Sequence, residues 1–219
     1  MAGIRNAFVS LGIAMAVMAG PAAGRPLPVA APPAESCQHV ARALRERLEA
    51  VTEAVIDGRV AAVPLASRRV SRWWATHRQA VPNAADADSS LRELVTAAQA
   101  HQPLVAARAA VEASVISLHW CEATPATALA TQEQLMLVDL VGMSGWLRAR
   151  GAQLEWPAGV QEVTDRLSAA LVARKHAALA RRLRTGVAAT LAAPMSTTGD
   201  RTAAIHLLDL VDVIEKVLP

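Results

Sequence analysis

Several residue types are scarce in this 219-residue chain, and each scarcity excludes a class of protein. Tyrosine is absent and Phe8 is the only phenylalanine, so strand-forming aromatics are few, whereas helix-forming alanine and leucine are common. Two cysteines exclude a cysteine-rich scaffold. The two lysines, Lys175 and Lys216, do not follow a glycine, which excludes a phosphate loop. Because 53% of the residues are hydrophobic, the chain is not disordered.

Metal and haem motifs are also missing. None of the six histidines begins an H-E-x-x-H motif, and no glutamate lies three residues before a histidine. Zinc proteases and ferritin-like di-iron proteins need those ligands on one helix face. The C-x-x-C-H motif that attaches haem covalently is absent too. We therefore predict no cofactor and no metal site, and keep non-covalent haem or copper as an alternative.

Residues 1–24 have the features of a secretory signal peptide. Arg5 supplies the positive charge, Ala7–Ala19 form an apolar run, and Ala22 and Gly24 mark a small-residue cleavage site. A membrane-spanning helix needs about 20 apolar residues, and no later segment is both that long and uncharged. We therefore expect a periplasmic or secreted protein with no transmembrane segment after signal removal. An uncleaved amino-terminal anchor is the alternative.

Two kinds of sequence follow the signal peptide: a Pro-rich segment and then a series of amphipathic helices. Residues 25–35 contain four prolines, which block helix formation and predict a Pro-rich extended tether. Beyond the tether, apolar residues recur every three or four positions, the pattern of amphipathic helices. Ser90 and Glu93 fit a capping box, which predicts that the third helix starts there. The phase of the sixth helix becomes unclear past Arg174, which predicts a break in the helix.

These elements predict an all-α fold. Short connections between successive helices favour antiparallel packing. We expect an antiparallel helical bundle, built either as one elongated bundle or as two packed units of three to four helices. The first half is expected to span residues 36–122, and the second half residues 123–219.

The two cysteines predict a disulfide bond. Cys37 lies three residues before Val40, on the apolar stripe of the first helix. Cys121 lies three residues after Leu118, on the stripe of the fourth helix. Antiparallel packing brings the start of the first helix beside the end of the fourth, so both thiols face inward at one end of the bundle. In an oxidising compartment this geometry predicts a Cys37–Cys121 bridge within the first half.

Trp73, Trp74 and His77 form the most suggestive candidate for a ligand site. His77 lies one turn beyond Trp73, so an imidazole sits beside indoles on a largely apolar helix face. The three side chains are candidates for ligand binding, with Met136 or Met143 as a second donor to haem or copper. The alternative interpretation is core packing, because methionines at helical spacing commonly fill gaps.

An acidic residue interrupts an apolar run of the fifth helix. Asp139 lies within Leu135–Val141, where a carboxylate is costly unless it is paired. Asp209 and Asp212 have a similar setting. A buried acid can indicate catalysis, but an arginine partner from another helix is the commoner arrangement, and arginine is plentiful here. We therefore expect an arginine to pair with such an acid.

The same helix carries two glycines, Gly142 and Gly145, on either side of Ser144. This is not the nucleophile elbow of hydrolases, which needs a strand-to-helix turn. Small residues on this face predict instead that another helix approaches closely.

A basic stretch lies in the second half of the chain. Its members are Arg174, Lys175, His176, Arg181, Arg182 and Arg184. An exported protein does not ordinarily meet nucleic acid, so we predict no nucleic-acid partner and expect an anionic envelope ligand or an acidic protein. A solvated helix face is the alternative.

One segment resembles a known enzyme family. Residues 44–51, LRERLEAV, are similar to the start of helical chorismate mutases, some of which are exported. The resemblance implies cationic groups around an anionic substrate, including a lysine on the first long helix, and this helix has no lysine. We predict an exported helical-bundle binding or interaction protein without an evident catalytic motif. A small secreted enzyme of the chorismate mutase type and a haem- or copper-binding bundle are the alternatives.

Overall fold

The computed structural model describes residues 36–82, 84–118, 120–121, 130–193 and 201–218. Every regular element in these ranges is helical, which confirms the predicted all-α bundle. The eight α-helices of the described residues are α1 (Cys37–Ile56), α2 (Val63–His77), α3 (Ala84–Gln99), α4 (Pro103–Ser117), α5 (Thr131–Arg148), α6 (Val160–Ala173), α7 (Ala177–Ala192) and α8 (Thr202–Glu215). The predicted signal peptide and tether, residues 1–35, lie outside the described residues.

The helices pack in two sets that follow their order along the chain. In the first set, α1 contacts α2 and α4, and α3 contacts α2 and α4. In the second, α5 contacts α6, α7 and α8, and α7 lies between α6 and α8. Contacts between α4 and α5 join the two sets, and residues 34–219 form one compact unit. The expected boundary between residues 122 and 123 falls outside the described residues, so the division into halves stays a prediction.

Local sequence explains where α1 and α4 begin and where the chain breaks between α6 and α7. The Ser36 hydroxyl accepts a hydrogen bond from the His39 amide at 3.2 Å and caps α1. Pro103 occupies the first position of α4, where its missing N–H removes no helical bond. The predicted break past Arg174 is present: Lys175 has φ of +67° between α6 and α7, and the chain changes direction there.

One predicted helix start is wrong. α3 begins at Ala84, six residues before Ser90, so the Ser90–Glu93 pair lies within the helix and caps nothing. Asp86 in the first turn favours the earlier start because its charge complements the positive end of the helix dipole. Glu93 instead accepts a hydrogen bond from Arg108 of α4, which fastens α3 to its neighbour.

The central element of the second set is α5, which is buried on almost every side. Its neighbours come close because it carries small residues, as the sequence predicts. A side-chain carbon added at Gly142 would lie 2.7 Å from Cδ2 of Leu208 in α8. One added at Gly145 would collide with Thr190 of α7 and lie 3.3 Å from Cβ of Ala204 in α8.

Covalent and ionic links hold the first set together and fasten it to α5. The predicted Cys37–Cys121 bridge is confirmed, with 5.6 Å between the two Cα atoms. Arg45 of α1 is 3% exposed, and its guanidinium donates to the Ser117 hydroxyl and to Glu133 of α5, at 3.3 and 3.4 Å. A buried guanidinium is stable only with such partners, so this contact fixes α1, α4 and α5 relative to one another.

Length and apolar character decide whether any of the eight described helices could cross a bilayer. None of them combines the length and the apolar character that crossing a membrane requires.

Candidate functional site

Asp139 is the least expected buried group in the structure. It is 9% exposed and lies within the buried run Leu135–Val141 of α5. Its Oδ2 atom is inaccessible to solvent and accepts no hydrogen bond from the described residues. The predicted arginine partner is therefore wrong for this acid. Arg45, an arginine buried beside α5, is already bonded to Ser117 and Glu133.

Four other carboxylates lie close enough to act electrostatically on Asp139. Glu49 and Glu53 come from α1, and Asp212 and Glu215 come from α8. We call these five residues the carboxylate cluster. Asp139 is buried, Glu49 is partly buried, and the other three are exposed. The carboxylate cluster therefore runs from a buried acid outward to the surface.

Burial and mutual repulsion shift the acidity of the carboxylate cluster. Burial, followed by the charges of the other four acids, raises the pKa of Asp139 well above its ordinary value. Burial also raises the pKa of Glu49 to about 7, with Glu53 and Glu215 adding to the shift. The pKa values of Glu53 and Glu215 are raised as well, chiefly by burial. A proton or an external cation would relieve this repulsion.

Two cationic side chains act on exposed members of the carboxylate cluster. Arg59 partly offsets the shift at Glu53, but its guanidinium is bonded to Asp57 at 2.8 Å. Lys216 has the same effect on Glu215 and is exposed. Within the described ranges, no three histidine, cysteine or acidic side chains are placed to hold a metal ion.

The structure separates the aromatic residues that the sequence grouped. Trp73 stacks on His77 with ring centroids 4.3 Å apart, and Arg47 lies over the same indole at 4.4 Å. Trp74 is buried on another side, where it stacks on Trp120 and donates from its indole nitrogen to Asp88 at 2.7 Å. Each ring thus has a partner within the chain, and ligand binding at these residues stays a prediction.

The donors proposed for haem or copper come from different parts of the fold. Met136 and Met143 lie on α5, whereas α2, which carries His77, packs against α1 and α3. The helix that resembles chorismate mutases has its arginines turned to different partners. Arg45 faces α4 and α5, and Arg47 faces α2. Both alternatives stay predictions.

The basic stretch lies on α7 and on the turn that precedes it. Arg181 and Arg182 line an open groove of about 740 Å³ between α7 and α8, together with His206. Arg184 pairs loosely with Asp165 of α6 at 3.6 Å. An anionic ligand for this stretch stays a prediction.

Sequence reasoning found part of the carboxylate cluster and missed the rest. It singled out Asp139 and Asp212, but it did not single out Glu49, Glu53 or Glu215. One signal was present: Glu49 and Glu53 are four residues apart, and like charges at that spacing destabilise a helix unless something compensates.

Comparison with known proteins adds no family assignment. No protein-family model, curated protein or solved structure matches this chain. The function must therefore be argued from the chemistry of the site itself.

Proposed function

We propose that this chain is an exported helical-bundle binding protein, without an evident catalytic motif, that holds a cationic ligand at the carboxylate cluster. The observation that carries the proposal is the buried Oδ2 of Asp139, which has no hydrogen-bond partner among the described residues, while the charges of four further carboxylates act on this side chain. Export is supported by the signal-like residues 1–24 and by the disulfide, which persists in oxidising compartments.

The energetic argument rests on what a buried carboxylate requires. A charge removed from water is unstable unless it is paired and hydrogen-bonded. Folded proteins normally supply the partner from a neighbouring helix, and here α1 and α8 supply more negative charge. Acids with strongly shifted pKa values concentrate at functional sites of proteins. A functional role would therefore account for an unpaired buried acid among like charges. A bound cation would satisfy Asp139 and reduce the repulsion between the five acids.

Binding can be measured on the mature chain purified from the cell envelope, by calorimetry at pH 8 with a panel of cations. The panel is Mg²⁺, guanidinium, butylamine and spermidine. We expect at least one member to bind, and Asp139→Asn to weaken that binding by about tenfold or more, since it removes a charge-assisted hydrogen bond.

The matched control is Glu162→Gln, which removes an exposed acid of α6 away from the carboxylate cluster. This variant should bind as the unmodified protein does. Absence of binding by every cation, or equal loss in both variants, would refute the proposal. Since no contact among the described residues favours a second function, we propose none.

A further inference from the structure

A cleft of about 670 Å³ lies where α4 meets α5 and the segment that follows α5. Glu112, Val115 and Ile116 of α4 line it. So do Arg148, the last residue of α5, and Glu155 beyond it. Small-molecule sites enclose about 300–1,000 Å³ and combine apolar walls with a few polar groups. This space, which we call the α4–α5 cleft, has that size and that mixture, and it lies where the two sets of helices join.

Arg148 brings to the α4–α5 cleft a positive charge that no acid of the described residues neutralises. Its Nη1 atom donates to the carbonyl oxygen of Leu154, and its guanidinium lies over the Trp156 ring, 4.8 Å from the centroid. These two contacts hold it in place. Its Nε atom is buried and has no hydrogen-bond partner among the described residues. A guanidinium held in this way is suited to bind a carboxylate, whose planar geometry matches its own.

Glu112 brings a negative charge to the same cleft, and its neighbours offset that charge only in part. Arg108, one turn earlier on α4, lies 3.8 Å from the Glu112 carboxylate. Arg108 is bonded more closely to Glu93 of α3, so its charge is shared. Burial raises the pKa of Glu112, as expected for an acid that is partly removed from water. With Glu155 as a second acid, the cleft disfavours a purely anionic ligand and favours one that also carries an ammonium group.

The apolar side chains of the α4–α5 cleft are not fully covered by the protein. Val115 and Ile116 pack against the core, yet both remain partly exposed, and both line the cleft. Hydrocarbon of a ligand that lay against them would remove apolar surface from water. The cleft therefore offers a cation, an acid and an apolar wall to a single small molecule.

We propose that the α4–α5 cleft is a second binding site, which takes a small zwitterion with an aliphatic body: an aliphatic α-amino acid or a short peptide of such residues. The ligand's carboxylate binds Arg148, and its ammonium group binds Glu112. Its aliphatic side chain covers Val115 and Ile116. The site shares no residue with the carboxylate cluster, so this proposal goes beyond the proposed function and does not depend on it.

Related probes separate the three features that the site recognises. L-Leucine has all three, 4-methylpentanoate lacks only the ammonium group, 3-methylbutylamine lacks only the carboxylate, and glycine lacks the aliphatic side chain. Leucyl-leucine represents the peptide ligand. Calorimetric titration of the mature envelope-purified protein at pH 7 compares the five probes. We expect leucine or leucyl-leucine to bind. Each incomplete probe should bind about tenfold or more weakly, because it loses a charge-assisted hydrogen bond or the burial of its aliphatic side chain.

Two variants assign each charged group of the ligand to its partner. Arg148→Gln should weaken leucine and 4-methylpentanoate about tenfold and leave 3-methylbutylamine unchanged. Glu112→Gln should weaken leucine and 3-methylbutylamine about tenfold and leave 4-methylpentanoate unchanged. A merely structural role of either residue would not separate the probes in this way. The matched controls, Arg181→Gln on α7 and Glu162→Gln on α6, remove exposed charges that do not line the cleft, and should bind leucine normally.

The outcomes decide the proposal separately from the cation site. It is wrong if neither leucine nor leucyl-leucine binds, if Glu112→Gln binds leucine normally, or if 4-methylpentanoate or 3-methylbutylamine binds as tightly as leucine. If Arg148→Gln fails to fold because it loses the contact with Leu154, the selectivity of Glu112→Gln still tests the site. Tighter binding of leucyl-leucine than of leucine identifies a peptide as the ligand, and the reverse identifies a free amino acid. Asp139→Asn should bind leucine normally, so its loss of cation binding tests the proposed function alone.

Discussion

At the scale of single residues, the acids of the carboxylate cluster tie the stability of the protein to pH. The pKa of Glu49 rises from its ordinary 4.5 in the unfolded chain to about 7 in the fold. The folded state therefore holds this proton more tightly than the unfolded state. Its contribution to stability is full below about pH 4.5 and is lost as pH rises to about 7. The pKa of Asp139 is also raised, so this residue adds to the loss of stability as pH rises.

We therefore expect the free energy of unfolding to fall by about 2 kcal/mol between pH 5 and pH 8 in the absence of added cations. Asp139→Asn should be more stable than the unmodified protein at pH 8 and should show a weaker dependence on pH. Urea unfolding at pH 5, 6.5 and 8 measures both effects, with Glu162→Gln as the control. Stability that rises over this range would contradict the raised pKa values.

The sequence revealed only part of the arrangement at this scale. Asp139 could be recognised because it interrupts an apolar run, and burial follows from that pattern. Its partners could not be predicted, because they come from α1 and α8, which are far apart in the chain. Helical periodicity shows which face of a helix is apolar. It does not show which other helices place their polar residues beside that face.

At the scale of helices, the glycines of α5 set how closely α7 and α8 approach. Gly145→Ala should lower the free energy of unfolding by about 1–3 kcal/mol, because the new methyl group collides with Thr190 and crowds Ala204. Gly186→Ala in α7 is the matched control. Its added carbon would lie 3.4 Å from Cδ1 of Leu207, an ordinary contact.

The control should raise the stability by up to about 1 kcal/mol, the advantage of alanine over glycine within a helix. Urea unfolding of the two variants compares them directly. Equal stability of the two would show that α5, α7 and α8 are not packed as closely as the structure has them.

Helix boundaries show why local signals are an incomplete guide. The cap at Ser36 and the proline at position 103 act within one turn, and the structure follows both. Ser90 and Glu93 also form a local start signal, yet α3 runs through them, and Glu93 contacts Arg108 of α4 instead of capping a helix. A capping pattern predicts a helix start only where the preceding residues do not themselves form a helix.

At the scale of the whole molecule, the disulfide restrains the chain over a separation of 84 residues. Replacing both cysteines, Cys37→Ser with Cys121→Ser, should lower the free energy of unfolding by about 4–5 kcal/mol, because a loop of this size loses much entropy when it is closed. The melting temperature should fall by about 8–20 °C. Thermal unfolding followed by circular dichroism measures the change.

Nonreducing peptide mapping of envelope-derived protein provides the control, since it should recover the linked peptides of Cys37 and Cys121. Unlinked thiols in that material, or a double variant as stable as the unmodified protein, would contradict the prediction. The bridge was predictable because each cysteine continues an apolar stripe and antiparallel helices bring the two stripes together.

The bridge also determines how the protein would respond to mechanical force. A pull on the two ends of the chain passes from Cys37 directly to Cys121, so α1 to α4 lie outside the loaded path. The bridge prevents the segment between the two cysteines, a separation of 84 residues, from being stretched. The unfolded chain is therefore about 290 Å shorter at full extension than it would be without the bridge. Under tension, only the helices that follow Cys121 would unravel until the bridge is reduced.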